Sequence, residues 1–133
     1  MTNGIPAVRD ERSAAFFDVL KEGTLLLRRC RPHGHLSAPE VLFCATCADP
    51  DLGWSAARGT GRVVSWTAIH SRPDPSGATT VNTIVGVVEL DEGPWLLARL
   101  LAPDIRTGMT VRLEVVETGG EPIYAFRPAG DEA

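Results

Sequence analysis

Three cysteines and three histidines are the side chains best suited to chemistry in this chain of 133 residues, and five of the six fall between positions 30 and 47. Cys30-Arg31-Pro32-His33-Gly34 and Cys44-Ala45-Thr46-Cys47 form two knuckles, each offering two ligands three residues apart. A tetrahedral zinc ion needs four N or S donors, and a C-x-x-C turn puts two donors on one side of the metal while aiming backbone N–H groups at sulfur. Cys30, His33, Cys44 and Cys47 are therefore the expected metal ligands, with His35 as the rival for the histidine position. Gly34 suits the tight turn after the first knuckle, and Pro32 pre-sets its backbone. Four protein donors leave no position for a substrate water, so such a zinc stabilises and does not catalyse. The alternatives are a ribbon without metal and a redox-active Cys44-Cys47 pair. An odd cysteine count excludes a simple disulfide framework.

Little else forms a catalytic set. Asp91 and Glu92 are adjacent carboxylates, but they sit beside Gly93 in a predicted hairpin turn, where solvated acids are ordinary. His70 ends a predicted strand with no nucleophile or carboxylate placed beside it. No G-x-S-x-G elbow occurs, and Gly59-Thr60-Gly61-Arg62-Val63 runs into a strand without the G-K-[ST] ending of a phosphate loop. Trp54, Trp66, Trp95, Tyr124 and Phe126 can be read as a base-stacking platform or as core and interface packing.

The elements that must position these residues follow from hydrophobic period and turn chemistry. Ser13 is placed to cap a short helix through AAFFDVLKEG, with Phe16, Phe17 and Leu20 on one face and Gly23 as its stop. Two adjacent aromatics on so short a helix are hard to bury together, so Phe16 and Phe17 are the candidate partner surface. The run TLLLRR predicts a strand leading into Cys30, and residues 30–51 are too rich in Pro, Gly and Cys to build a core. Five strands are expected beyond Trp54, at about 61–70, 82–90, 95–102, 110–117 and 122–127. Gly86 marks a bulge or bend. Five short strands suggest a small closed barrel, since closure removes exposed edges, and an OB-fold is the natural candidate. The expected fold is mainly β: an N-terminal segment (1–24), a metal ribbon (25–53), a five-stranded OB-fold barrel (54–128) and a tail (129–133).

Composition narrows the function classes. Seventeen acidic against thirteen basic residues leave a net charge of −4, whereas a domain that wraps a polyphosphate backbone usually has a basic excess. A single-strand nucleic-acid binder on the OB barrel is kept as the alternative reading. The N-terminal residues lack the basic-then-apolar pattern of a secretion signal, and no apolar run is long enough for a membrane helix, so a cytoplasmic location is expected.

The order of motifs resembles the DUF35 family, OB-fold proteins with a rubredoxin-like zinc ribbon associated with acyl-CoA chemistry. The matching pieces are Cys30-Arg31-Pro32-His33-Gly34, Pro39, Cys44-Ala45-Thr46-Cys47, Trp54, Arg58-Gly59-Thr60-Gly61-Arg62-Val63, Val88-Glu89-Leu90-Asp91-Glu92-Gly93-Pro94 and Gly108-Met109-Thr110-Val111, across about residues 13–128. The resemblance implies an accessory, non-catalytic subunit that docks on a thiolase-like enzyme as a hetero-oligomer. The partner would be an aldolase or thiolase, including those of steroid or fatty acyl side-chain breakdown, and the two proteins would share the acyl-CoA. Arg58 and Arg62, flanking the G-x-G, are the candidates for a CoA phosphate, with a solvated barrel rim as the plainer reading. The chain departs from the pattern twice: His33 replaces the second ribbon cysteine, and Asn82-Thr83 stands where a Pro-Tyr pair is expected.

Overall fold

The structure is a computed structural model, and it describes residues 14–70, 72–79, 81–118 and 120–129. The Ser13 cap and most of the C-terminal tail lie outside the described residues.

The chain begins with helix α1 (Ala14–Leu20), which buries Phe16 and Leu20. It ends at a left-handed Gly23, φ 96°, whose N–H bonds to Leu20 O at 2.8 Å while Thr24 N–H reaches Val19 O at 3.2 Å. This paired closure is a Schellman cap, so the helix stops before Lys21, short of the predicted Gly23 limit, which is the cap. Strand β1 (Leu26–Cys30) follows at once. It lies at the centre of a three-stranded sheet, between the two-residue β2 (Leu36–Ser37) and β3 (Leu52–Ala56). Cys30 is paired with Leu52 and Leu26 with Ala56, so the excursion that carries the knuckles is stitched closed at its base. Strand β3 was not expected; LGWSA has a Gly at its second position and no clean alternation, and only pairing with β1 makes it a strand. It runs across the expected ribbon-to-barrel boundary at 53/54.

The remaining strands are β4 (Thr60–His70), β5 (Val81–Leu90), β6 (Trp95–Leu100), β7 (Thr110–Thr118) and β8 (Glu121–Pro128). They close into a barrel in the order β4-β5-β6-β8-β7, sealed by antiparallel pairing of β7 with β4, which returns a five-stranded mixed barrel as expected. Gly86 explains one local feature. The bulge lies on β4, between Val63 and Ser65, and Gly86 faces Trp66 just beyond it. A Cβ at Gly86 would stand 2.4 Å from Ser65 O and 2.7 Å from Leu100 Cδ1. The glycine permits a close approach of β4 and β5; the bulge itself belongs to the partner strand.

Core packing joins the two parts. Phe16, Leu20, Leu25 and Leu27 belong to the same buried cluster as Val63, Val88, Leu96, Val111 and Phe126. Among the described residues no helix is long and apolar enough to cross a membrane.

Candidate metal centre and its surroundings

The first knuckle turns where β1 ends. Cys30 N–H bonds to His35 O at 2.8 Å, Gly34 N–H returns to Cys30 O at 2.6 Å, and Gly34 takes a left-handed φ of 77°. The second knuckle repeats this plan. Ala48 N–H bonds to Cys44 O at 2.8 Å, and the amides of Thr46 and Cys47 both point at Cys44 Sγ, 3.4 Å away. Ala48 occupies the position of Gly34 with a left-handed φ of 64°, paid without a glycine. Buried Ser37 on β2 ties the second knuckle to the sheet, its Oγ accepting the Ala45 N–H at 3.0 Å.

The donors converge. Cys30 Sγ is 3.6 Å from Cys47 Sγ and 3.8 Å from His33 Nδ1, which is 3.7 Å from Cys47 Sγ. A tetrahedron with 2.3 Å Zn–S bonds has donor–donor edges of roughly 3.8 Å, so these three atoms already have the spacing a tetrahedral ion requires. Cys44 Sγ approaches from the other side, 3.5 Å from His35 Nδ1. The ligand atoms of Cys30, His33, His35 and Cys47 all lie within 4.8 Å of one another, and the two imidazoles stack with centroids 5.6 Å apart. The structure thus gathers Cys30, His33, Cys47 and the rival His35 into one cluster, while Cys44, the fourth predicted ligand, falls outside that set and touches it through His35. Their chemistry fits a soft or borderline cation.

The two thiols of the second knuckle are unlike. Burial opposes ionisation of Cys44, but the amides of Cys47 and Thr46 and the His35 ring outweigh it and bring its pKa down to about 6. Cys47 gains an amide hydrogen bond from Asp49, yet burial and the neighbouring Cys44 and Cys30 sulfurs push it up to about 11. Two adjacent thiolates without a cation repel, and a bound cation removes that repulsion.

The other predicted site residues are dispersed. Phe16 is buried, with Trp54 and Tyr124 rings each 6.0 Å away, so it is a core residue and only the half-buried Phe17 of the expected pair reaches the surface. Arg58 projects into solvent while its backbone N–H bonds to Glu92 Oε2 at 2.7 Å; Arg62 Nη2 is 3.9 Å from Glu89 Oε1. Thr60 Oγ1 donates to Asp91 Oδ2, and Asp91 N–H to Thr60 O at 3.0 Å. Asp91 and Glu92 therefore pin the β5–β6 turn to the start of β4, a structural task that the sequence reading missed. The aromatic platform does not form: Phe126 is in the barrel core, Arg28 lies 3.9 Å over Trp54, and Trp66 and Trp95 are exposed.

Sequence reasoning also missed the exposure of Leu42, Phe43, Ile69 and Leu97. Leu42 and Phe43, directly before Cys44, are 52% and 56% exposed, and Trp95 and Leu97 on β6 are 57% and 69% exposed. The run WLLARL is apolar on both faces, so its alternation could not reveal which side faces out.

A chain of the solved Ltp2-ChsH2(DUF35) aldolase superposes with a TM-score of 0.75 at 32% identity, covering 93% of this chain and 99% of that one. The chain belongs to the DUF35 family. A family model described as the C-terminal OB-fold domain of ChsH2 matches residues 54–116 of this DUF35 chain. A solved DUF35 protein of unknown function from Sulfolobus solfataricus shares the fold, with a TM-score of 0.62 at 15% identity over 89% of this chain and 85% of that one. Among curated proteins, the DUF35 chain is 35% identical over 128 residues to a "Probable enoyl-CoA hydratase alpha subunit" of Thermomonospora curvata, covering 93% of itself. It is 32% identical over 85 residues to a "DUF35 domain-containing scaffold protein" of Pyrococcus furiosus, covering 61% of itself. It spans 39% and 61% of the length of these two relatives.

Proposed function

We propose that this DUF35 chain is an accessory subunit that docks on a thiolase-fold enzyme, an aldolase in the first instance, and helps it handle an acyl-CoA without supplying catalytic residues of its own. The observation that carries the reading is the end-to-end match, at 32% identity, to a chain of the Ltp2-ChsH2(DUF35) aldolase. The residues agree with it. His70 is exposed at the end of β4, and Asp91 and Glu92 are engaged in holding a turn, so neither supplies an acid/base pair. The exposed Leu42 and Phe43 beside the metal knuckle, together with Phe17, offer apolar surface on the ribbon and helix where a partner can seat.

Zinc is the proposed metal, held by Cys30, His33, Cys44 and Cys47, with a structural role; His35 stands close enough to compete. The exposed Arg58 is the better placed of the two proposed phosphate contacts, since Arg62 already faces Glu89. The test is co-expression with a thiolase-fold aldolase from the same genome, followed by size exclusion and a retro-aldol assay on a CoA thioester. A stable complex whose activity needs this chain is expected. A monodisperse monomer that leaves the aldolase unchanged would refute the proposal.

A further inference from the structure

The ribbon brings the ligand atoms of Cys30, His33, His35 and Cys47 within 4.8 Å of one another and sets a fifth donor, Cys44 Sγ, 3.5 Å from His35 Nδ1. Structural zinc takes four donors, so one of the five is left over. Cys30 Sγ, Cys47 Sγ and His33 Nδ1 form a triangle with sides of 3.6, 3.7 and 3.8 Å, one complete face of a tetrahedron. The fourth corner is contested between His35 and Cys44. Each contender is fixed by the backbone without help from an ion. The His35 carbonyl accepts the Cys30 N–H at 2.8 Å, and left-handed Gly34 turns the chain so that the His33 and His35 rings stack 18° from parallel. Cys44 is held by its own N–H to Asp49 O at 2.9 Å and by the Ala48 N–H to its carbonyl at 2.8 Å. Neither side chain is orphaned when the other ligates. A Cys44 sulfur off the ion keeps the Thr46 and Cys47 amides, each 3.4 Å away, and a His35 ring off the ion keeps its contact with Cys44. Exchange therefore avoids the usual cost of withdrawing a ligand from a closed site, a buried polar group left without a partner.

We infer that Cys30, His33 and Cys47 are the fixed ligands and that Cys44 and His35 are interchangeable at the fourth corner, so that the lobe keeps its ion with either one. The donor set is three sulfurs and one nitrogen with Cys44, and two of each with His35. The inference deepens the metal reading proposed above and rests on it. It gives a task to His35, which two knuckles of two ligands each leave without one.

Zinc content after dialysis and titration of the full chain with cobalt(II) test this. The unaltered chain should hold one zinc. Cys44→Ala and His35→Ala should each retain it with affinity lowered by about tenfold, and the double variant should lose it. Cys47→Ala, which removes a fixed ligand, should lose it alone. Cys44→Ser keeps the volume of the buried side chain and separates loss of a ligand from loss of packing; it should retain zinc as Cys44→Ala does. Cobalt(II) reports the donors directly, because the thiolate-to-metal charge-transfer absorbance grows with the number of Co–S bonds. His35→Ala should show the three-sulfur intensity and Cys44→Ala the weaker two-sulfur one. An unaltered chain that binds neither zinc nor cobalt overturns the metal reading and the inference with it. Binding by the unaltered chain that disappears in both Cys44 variants, or in His35→Ala, overturns the exchange alone. A double variant that still holds stoichiometric zinc, or equal charge-transfer intensity in the two single variants, does the same.

Discussion

His33 and His35 compete for one role, and their positions relative to sulfur separate them. His33 Nδ1 lies within 3.8 Å of both Cys30 and Cys47, whereas His35 Nδ1 contacts Cys44 at 3.5 Å. His33→Ala is therefore expected to lose stoichiometric zinc or bind it at least about tenfold more weakly, and His35→Ala to retain it with a smaller loss, as measured by metal analysis after dialysis. Ala48 offers a stabilising change. Its left-handed backbone costs an L-residue roughly 1–2 kcal/mol, so Ala48→Gly should raise stability by about 1 kcal/mol in a denaturant titration. Tyr124, the only tyrosine in the chain, gives a clean pH readout. Burial, with a smaller contribution from the Glu40 carboxylate, pushes its pKa up to about 12. The folded state thus favours the neutral phenol, and the stability it contributes is complete below the unfolded value of about 10 and lost as pH rises through about 12. The tyrosinate absorbance should rise near pH 12 in the folded protein. A midpoint near 10 would contradict the burial. The convergence of Cys30, His33 and Cys47 was legible because a two-donor turn fixes both residue type and spacing, whereas the inclusion of His35 in place of Cys44 was not. Leu42 and Phe43 were not, since an exposed apolar pair in an irregular loop has no period to betray it.

At the scale of elements, the barrel strands were readable from β-branched runs and turn residues, and closure followed from the need to remove edges, but the strand order did not. Strand β3 was hidden because its five residues are strand-like only in partnership with β1. Gly86 was recognised as special but for an adjacent reason: the sequence shows that a side chain is missing and not which strand needs the space. Gly86→Ala places a methyl 2.4 Å from a backbone carbonyl and should cost about 2 kcal/mol or more, seen as a lowered melting temperature. The same substitution at Gly77, whose Cβ would meet nothing within 4 Å, introduces no clash and tests only its positive φ.

For the whole molecule, helix, sheet and barrel share one buried cluster, while the metal knuckles lie beyond it. Removal of metal by a chelator should therefore release amide protection in residues 31–51 and leave the barrel strands protected, read by hydrogen exchange. Phe126→Ala should act in the opposite way, costing about 3–5 kcal/mol and loosening the barrel and α1 together. A chelator that unfolds the entire chain would show that the shared cluster cannot stand without the ion.

The stitching of β1 to β3 has a consequence for how this molecule can change over time. Because five residue pairs clamp the base of the knuckle excursion, the ends of that loop are held together whatever its tip contains. Lengthening or rewriting the tip then carries only the slow logarithmic cost of a larger closed loop. A cysteine can give way to a histidine there, or a longer docking finger can be grafted in, without disturbing the barrel. The clamp makes the lobe evolvable independently of the body that carries it.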